Sequence, residues 1–168
     1  MGTIHPWCLK IVAMVAAATP FFAWAESNSV VGTWKLVSMT SRDETTGEES
    51  QTWGEHPLGF ITYTAGGRMS AVLASADRPL AVESAGQATD EEQAMLFRKS
   101  FAYAGRYTLT QDGVIHHVEV AADPSWIGQD QRRLIRFEGN KLIVTSSASQ
   151  TAASPHPLVF LLVWERIE

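Results

Sequence analysis

The sequence predicts an all-β chain, an antiparallel sandwich or barrel with one short helix. Three observations lead there. Segments rich in Val, Ile, Thr and aromatic residues recur between clusters of Gly, Asp, Asn and Ser, the pattern of a sandwich or barrel. A lone helix signature, Thr89 followed three residues later by Glu92, interrupts them. Two turn dipeptides, Asp112-Gly113 and Gly139-Asn140, define hairpins in which one face is apolar and the other carries paired charges.

The first 25 residues stand apart. Lys10 and the amino terminus supply positive charge, and Ile11 to Ala18 is an apolar run too short to span a bilayer. Pro20 breaks it, and Ala23-Trp24-Ala25 offers small residues where a signal peptidase reads. Residues 1–25 are therefore expected to be a signal peptide, and residues 26–168 one domain that is periplasmic or secreted, without stable membrane insertion after cleavage. The sole cysteine, Cys8, falls in the leader, so neither disulfide nor thiol chemistry is expected in the product. Removing 25 of 168 residues leaves 143, enough for a real core. Without Lys10, 12 basic residues face 18 acidic ones, a net charge of −6 that argues against nucleic acid as a partner.

The elements follow in order. Val31 to Thr40 is the first strand. Gly59 to Tyr63 and Arg68 to Ala74 flank Thr64-Ala65-Gly66-Gly67, a hairpin turn that precedes no helix and so is no phosphate cradle. The helix starts at the Thr89 cap, with Asp90 and Glu91 near its positive end and Arg98 and Lys99 near its negative end. Phe97 and Phe101, four apart, are expected to pack its face on the barrel. Tyr103 to Thr110, Val114 to Ala121, Gln131 to Phe137, Lys141 to Ser147 and Leu158 to Ile167 complete the strands.

The turns set registers. A two-residue Asp112-Gly113 turn places Leu109 opposite His116, Tyr107 opposite Val118 and Arg106 opposite Glu119. Tyr103, Gly105, Tyr107 and Leu109 then share an inner face with Val114, His116, Val118 and Val120, while His117 and Glu119 face out. Gly139-Asn140 places Glu138 opposite Lys141, Phe137 opposite Leu142 and Ile135 opposite Val144. A slip of one residue would invert every side chain, so the clean separation of faces argues for these registers.

Gly32-Thr33-Trp34 on the first strand resembles the Gly-x-Trp signature of lipocalins. Arg166, just after Trp164 on the last strand, resembles the late arginine that packs over that tryptophan. The mature chain is similar nearly end to end to the bacterial and fungal lipocalin-like domain family. Segments carrying the likeness are Val31 to Val37, Met69-Ser70-Ala71, Asp77-Arg78-Pro79, Ala102 to Tyr107, His116 to Glu119 and Leu162 to Arg166. The resemblance implies a closed or nearly closed lipocalin-like barrel, an antiparallel up-and-down β-barrel with one short helix, with Trp34 and Arg166 as its closure pair. It implies fold far better than function.

Inward-facing strands would gather Tyr103, Tyr107, His116, Gln131 and Arg133 among aliphatic residues, with Trp126 able to close one end. A few polar groups converging in an apolar cavity is the usual make-up of a ligand site. Arg133 offers a fork for a carboxylate or enolate, the tyrosines offer aromatic walls with hydroxyl tips, and His116 can exchange a proton. Each also has a bland reading: His116 as hydrogen-bonded core, Arg133 paired with a carboxylate at the rim, Trp126 packed on the exterior. His116 and His117 are adjacent on a strand and cannot chelate one metal; no metal or other cofactor is expected. Nor is there a nucleophile elbow.

The expected function is binding of a small apolar or amphipathic molecule. Two alternatives stay open: a cofactor-free isomerase or cyclase using His116, Arg133 and a tyrosine, and a structural domain whose core is filled. The sequence does not name the ligand, and it leaves enzymatic activity open.

Overall fold

The computed structural model describes Gly2 and residues 29–51, 53–151 and 154–168; the expected cleavage site at Ala23–Ala25 lies outside the described residues. The chain forms β1 (Gly32–Asp43), β2 (Glu49–Ser50), β3 (Leu58–Tyr63), β4 (Arg68–Ala74), α1 (Asp90–Arg98), β5 (Ser100–Leu109), β6 (Gly113–Ala121), β7 (Asp130–Glu138), β8 (Lys141–Ser146), β9 (Ser149–Thr151) and β10 (Ser154–Arg166). Eight antiparallel strands, β1-β3-β4-β5-β6-β7-β8-β10, run side by side, and the β1–β10 pairing closes them into a barrel. The short β2 and β9 extend β1 and β10 at their outer ends. Closure removes the exposed edges that an open sheet would offer to other chains.

Because neighbouring strands alternate in direction, the β3–β4, β5–β6 and β7–β8 turns share one end with Gly32 and Arg166. The opposite end carries α1, between β4 and β5, and the Pro124–Trp126 turn, between β6 and β7. These are called the closure end and the helix end.

The β7–β8 hairpin has the expected register: Glu138 pairs with Lys141, Phe137 with Leu142 and Ile135 with Val144, around Gly139 at φ +59°. The β5–β6 hairpin does not. Leu109 pairs with Val114, Tyr107 with His116 and Arg106 with His117, two residues off the expected pairing. The chain reverses one residue earlier, over Gln111-Asp112, with the Thr110 N–H donating to the Gly113 carbonyl at 2.9 Å. Gly113 lies within β6, and a Cβ there would meet the Arg133 carbonyl oxygen at 2.0 Å. It is needed for the close approach of β7, and not for the turn. A shift of two keeps every side chain on its own face, so His116 still points inward and is buried.

A second departure does change faces. Gly105 pairs with Val118 but Ala104 pairs with Val120, which leaves Glu119 as the extra residue of a β-bulge. Val120 consequently faces out, 58% exposed, and not inward as expected, while Ala121 takes the inner position. The expected Arg106–Glu119 pair survives as a diagonal contact of 3.0 Å, with Arg68 also bonding Glu119 at 2.7 Å. Leu109, at the strand end, is exposed rather than interior. In β1, Val37 is likewise skipped between the Leu36 and Ser38 pairings, so that Trp34 and Leu36, then Met39 and Ser41, are the buried positions.

Helix α1 has its capping box in full: Glu92 N–H donates to the Thr89 hydroxyl, and Thr89 N–H to the Glu92 carboxylate, each at 3.2 Å. It stops at Arg98, and none of its residues is buried. Phe97 is exposed, whereas Phe101 belongs to β5 and packs on Trp126 and Tyr103. The expected helical Phe pair is thus split, because β5 begins at Ser100. Among the described residues, no helix is long and apolar enough to cross a membrane.

Candidate functional site

The interior polar groups come from four strands and one turn. β5 contributes Tyr103 and Tyr107, β6 His116, β3 Tyr63, β7 Gln131 and Arg133, and the turn after β6 contributes Trp126. Asp123 accepts from the Ser125 N–H at 2.9 Å and Pro124 fixes the first turn position, which together hold Trp126 over the helix end.

His116 is 1% exposed and both its ring nitrogens are engaged: Nδ1 with the Tyr103 hydroxyl at 2.7 Å, Nε2 with the Tyr63 hydroxyl at 2.8 Å. A neutral imidazole has one donor and one acceptor nitrogen, so one tyrosine accepts while the other donates. Burial, then the nearby Arg133 and His117, push the His116 pKa down to about 3. Burial likewise raises the hydroxyl pKa of Tyr63 and Tyr103. The trio is therefore neutral at ordinary pH. Tyr107 stands edge-on to Tyr63 at 5.0 Å and donates its hydroxyl to the Thr64 carbonyl, so it braces Tyr63 and makes no bond to His116.

Arg133 is 9% exposed. Its guanidinium donates to the Arg132 carbonyl at 3.0 Å and to Gln131 Oε1 at 3.4 Å, and it lies 5.7 Å from the centre of the Trp126 ring. Among the described residues it has no carboxylate within salt-bridge distance, contrary to the rim pairing that a bland reading would give it. Trp126 is half-buried against Phe101 at 4.6 Å and Tyr103 at 5.6 Å, so its ring belongs to the barrel's end and not to its outer wall. The geometry brings Tyr103, His116, Gln131, Arg133 and Trp126 into one interior region, with Tyr107 one ring removed.

At the closure end, Trp34 is buried and the Arg166 guanidinium stacks on it at 4.1 Å. Arg166 also donates to the carbonyls of Ser29, Val31 and Glu168, and Trp34 Nε1 to that of Val30. Gly32, at φ +136°, has no room for a side chain: a Cβ would meet the Glu168 carbonyl oxygen at 2.4 Å. That is the physical content of Gly-x-Trp in this chain.

Sequence reasoning missed Tyr63 and Phe101. Alternation through Ile61 and Tyr63 ahead of the Thr64–Gly67 turn carried the first. The second was hidden by assigning Phe101 to the helix. His156 lies in β10 and its ring bonds Asp43 at 2.9 Å.

Comparison with known proteins agrees with this architecture. The sequence profile of the lipocalin-like domain matches residues 31–167. The chain belongs to the lipocalin-like domain family. A fungal relative, the 4'-hydroxy-3'-methoxypropiophenone carrier protein ppsC of Aspergillus oryzae (strain ATCC 42149 / RIB 40), is 35% identical over 86 residues. That match covers 46% of this lipocalin-like chain and 70% of the relative.

Proposed function

We propose that this protein is an exported binder of a small, partly apolar aromatic molecule, acting in the periplasm or outside the cell. The observation that carries the reading is Arg133, a guanidinium inside the barrel without a carboxylate partner among the described residues, beside aromatic walls. The polar end of the ligand sits at Arg133 and Gln131, and its flat body lies on Trp126 and Tyr103. His116, fixed by Tyr63 and Tyr103, and Tyr107 keep the floor of the site rigid. The carrier name of the fungal relative supports a ligand-binding role and suggests an aryl ketone as the ligand class.

The isomerase reading asks His116 to accept a proton, yet both its nitrogens are taken and its pKa is about 3, far from the pH at which a general base is effective. A filled structural core would leave the Arg133 charge without a counter-charge. Native mass spectrometry of protein purified gently from its own host should show one small molecule retained, on a chain beginning at Glu26. An empty barrel in that preparation would defeat the binding role, and a chain beginning at Met1 would defeat the export.

A further inference from the structure

We propose that the ligand is held as an oxygen anion, a phenolate, enolate or carboxylate, with the Arg133 guanidinium as its counter-charge. This rests on the binding role given above and adds the charge state of the bound molecule.

The argument begins with charge. A buried lysine can shed its proton, but an arginine cannot, so its burial carries a desolvation penalty that an anion offsets. The other ion-paired arginines, Arg42, Arg68, Arg106 and Arg136, are more than half exposed and meet Glu44, Glu119 or Glu138. Arg133 is the reverse: buried and without a carboxylate among the described residues. The polar or charged residues buried with it are Ser41, Ser75 and His116, none of them an anion.

Among the described residues, no neighbouring element supplies Arg133 with a counter-charge. On β5, Tyr103 and Tyr107 point inward as neutral hydroxyls, and Arg106 points out to Glu119. On β6, His116 is inside and neutral, while His117 lies outside against Asp130 of β7 at 2.7 Å. β3 offers Tyr63, and β8 offers Ser146 and Val144 opposite Arg133 and Ile135. Asp123, in the turn bearing Trp126, is committed to the Ser125 N–H.

Hydrogen bonding points the same way. A guanidinium has five N–H donors, and those of Arg133 are directed to the Arg132 carbonyl, Gln131 and the Tyr103 hydroxyl. Trp164 Nε1, elsewhere in the same core, is a buried donor without a partner among the described residues. The interior thus has surplus donors and one positive charge, and it is complementary to an acceptor-rich molecule of charge −1. The Trp126 and Phe101 rings offer flat walls to the conjugated body of such a molecule, with its charged oxygen directed at Arg133. For a weakly acidic phenol, the O–H bond breaks on binding, the electron pair stays on oxygen and the proton goes to bulk water. His116 does not take it, since both its nitrogens are already bonded.

The test uses three probes with the full protein: 4'-hydroxy-3'-methoxypropiophenone, its 4'-O-methyl ether and 4-hydroxy-3-methoxybenzoate. Affinity is measured by calorimetry, and the phenolate absorbance band is followed against pH. The expected result is a bound phenol whose pKa is lowered by about one unit or more, with the ether bound at least about tenfold more weakly. Arg133→Met should abolish the shift and Arg133→Lys should restore part of it, with far-UV circular dichroism reporting that both remain folded. Equal binding of phenol and ether without a phenolate band would overturn the anionic state while leaving the binding role intact. Binding of the benzoate alone would support the anion site and exclude the aryl ketone. Failure of all three would overturn both the anionic site and the aromatic ligand class.

Discussion

Two arginines stand over two tryptophans at opposite ends of this barrel. Arg166 lies 4.1 Å from the Trp34 ring and donates to the carbonyls of Ser29, Val31 and Glu168. Arg133 lies 5.7 Å from the Trp126 ring, with bonds to the adjacent Arg132 carbonyl and to Gln131. The first ties the chain's last strand to residues preceding its first, so its contacts are long-range and specify the fold. The second is bonded to its immediate neighbours in sequence, which are held by β7 whether or not the guanidinium is there. The same residue pair is a fastener at one end and an unspent charge at the other.

If that contrast is right, the largest effect belongs to the fastener. Arg166→Ala should cost about 2–4 kcal/mol, combining a stacked cation, charge-assisted bonds to carbonyls and packing of the aliphatic stem. Urea denaturation followed by tryptophan fluorescence measures it. A loss below about 1 kcal/mol would mean that β1–β10 pairing closes the barrel without help from this contact.

The closure contact and the β7–β8 turn were legible in the sequence because their determinants are short and local. Gly32 is confined by sterics, Trp34 by its alternation with Lys35 and Leu36, and the Glu138–Lys141 register by a glycine at positive φ. The β5–β6 hairpin and the interior it lines were legible only in part. Face assignment survived the error at Asp112-Gly113, since a shift of two preserves a period of two. The bulge at Glu119 did not announce itself, because it depends on the Gly105 backbone lying against the His117 carbonyl, a contact between strands. The partners of His116 were half found: Tyr103 lies on the neighbouring strand of the same hairpin, but Tyr63 reaches it from β3, across the barrel's curvature. That Arg133 meets no carboxylate among the described residues depends on many strands at once, which no local pattern encodes.

A middle-sized effect tests the neutral trio beside Arg133. In the unfolded chain His116 takes a proton near pH 6.5, whereas in the fold it stays neutral until about pH 3. Between these values the unfolded state binds more protons, so stability falls as pH is lowered, by on the order of 1 kcal/mol per pH unit at most. His116→Gln should be less stable at pH 7 by about 1–3 kcal/mol, having lost the matched bonds to the tyrosines. It should also lose this part of the slope between pH 6.5 and 4. Asp43 and Glu119, whose pKa values are lowered, act in the same direction at acid pH in both proteins and cancel in the difference. Parallel pH profiles for the two proteins would show that His116 is not held neutral, and the floor of the site would have to carry charge.

The smallest effect is the most telling, because its sign separates the two arginines. Arg133→Met keeps a long flexible side chain against Trp126 and removes the charge. The bonds it deletes go to the Arg132 carbonyl and to Gln131, so few groups are stranded by the change. Replacing a buried ion that lacks a counter-ion with an apolar side chain of similar length is neutral or favourable in general. The unliganded variant should therefore unfold within about 1 kcal/mol of the parent, on the more stable side. A saturating anionic ligand should then stabilise the parent by mass action and leave the variant unmoved. Denaturation of both proteins with and without ligand measures both halves at once. A loss above about 2 kcal/mol without ligand would make Arg133 a second fastener, and the barrel would then be held by an arginine at each end.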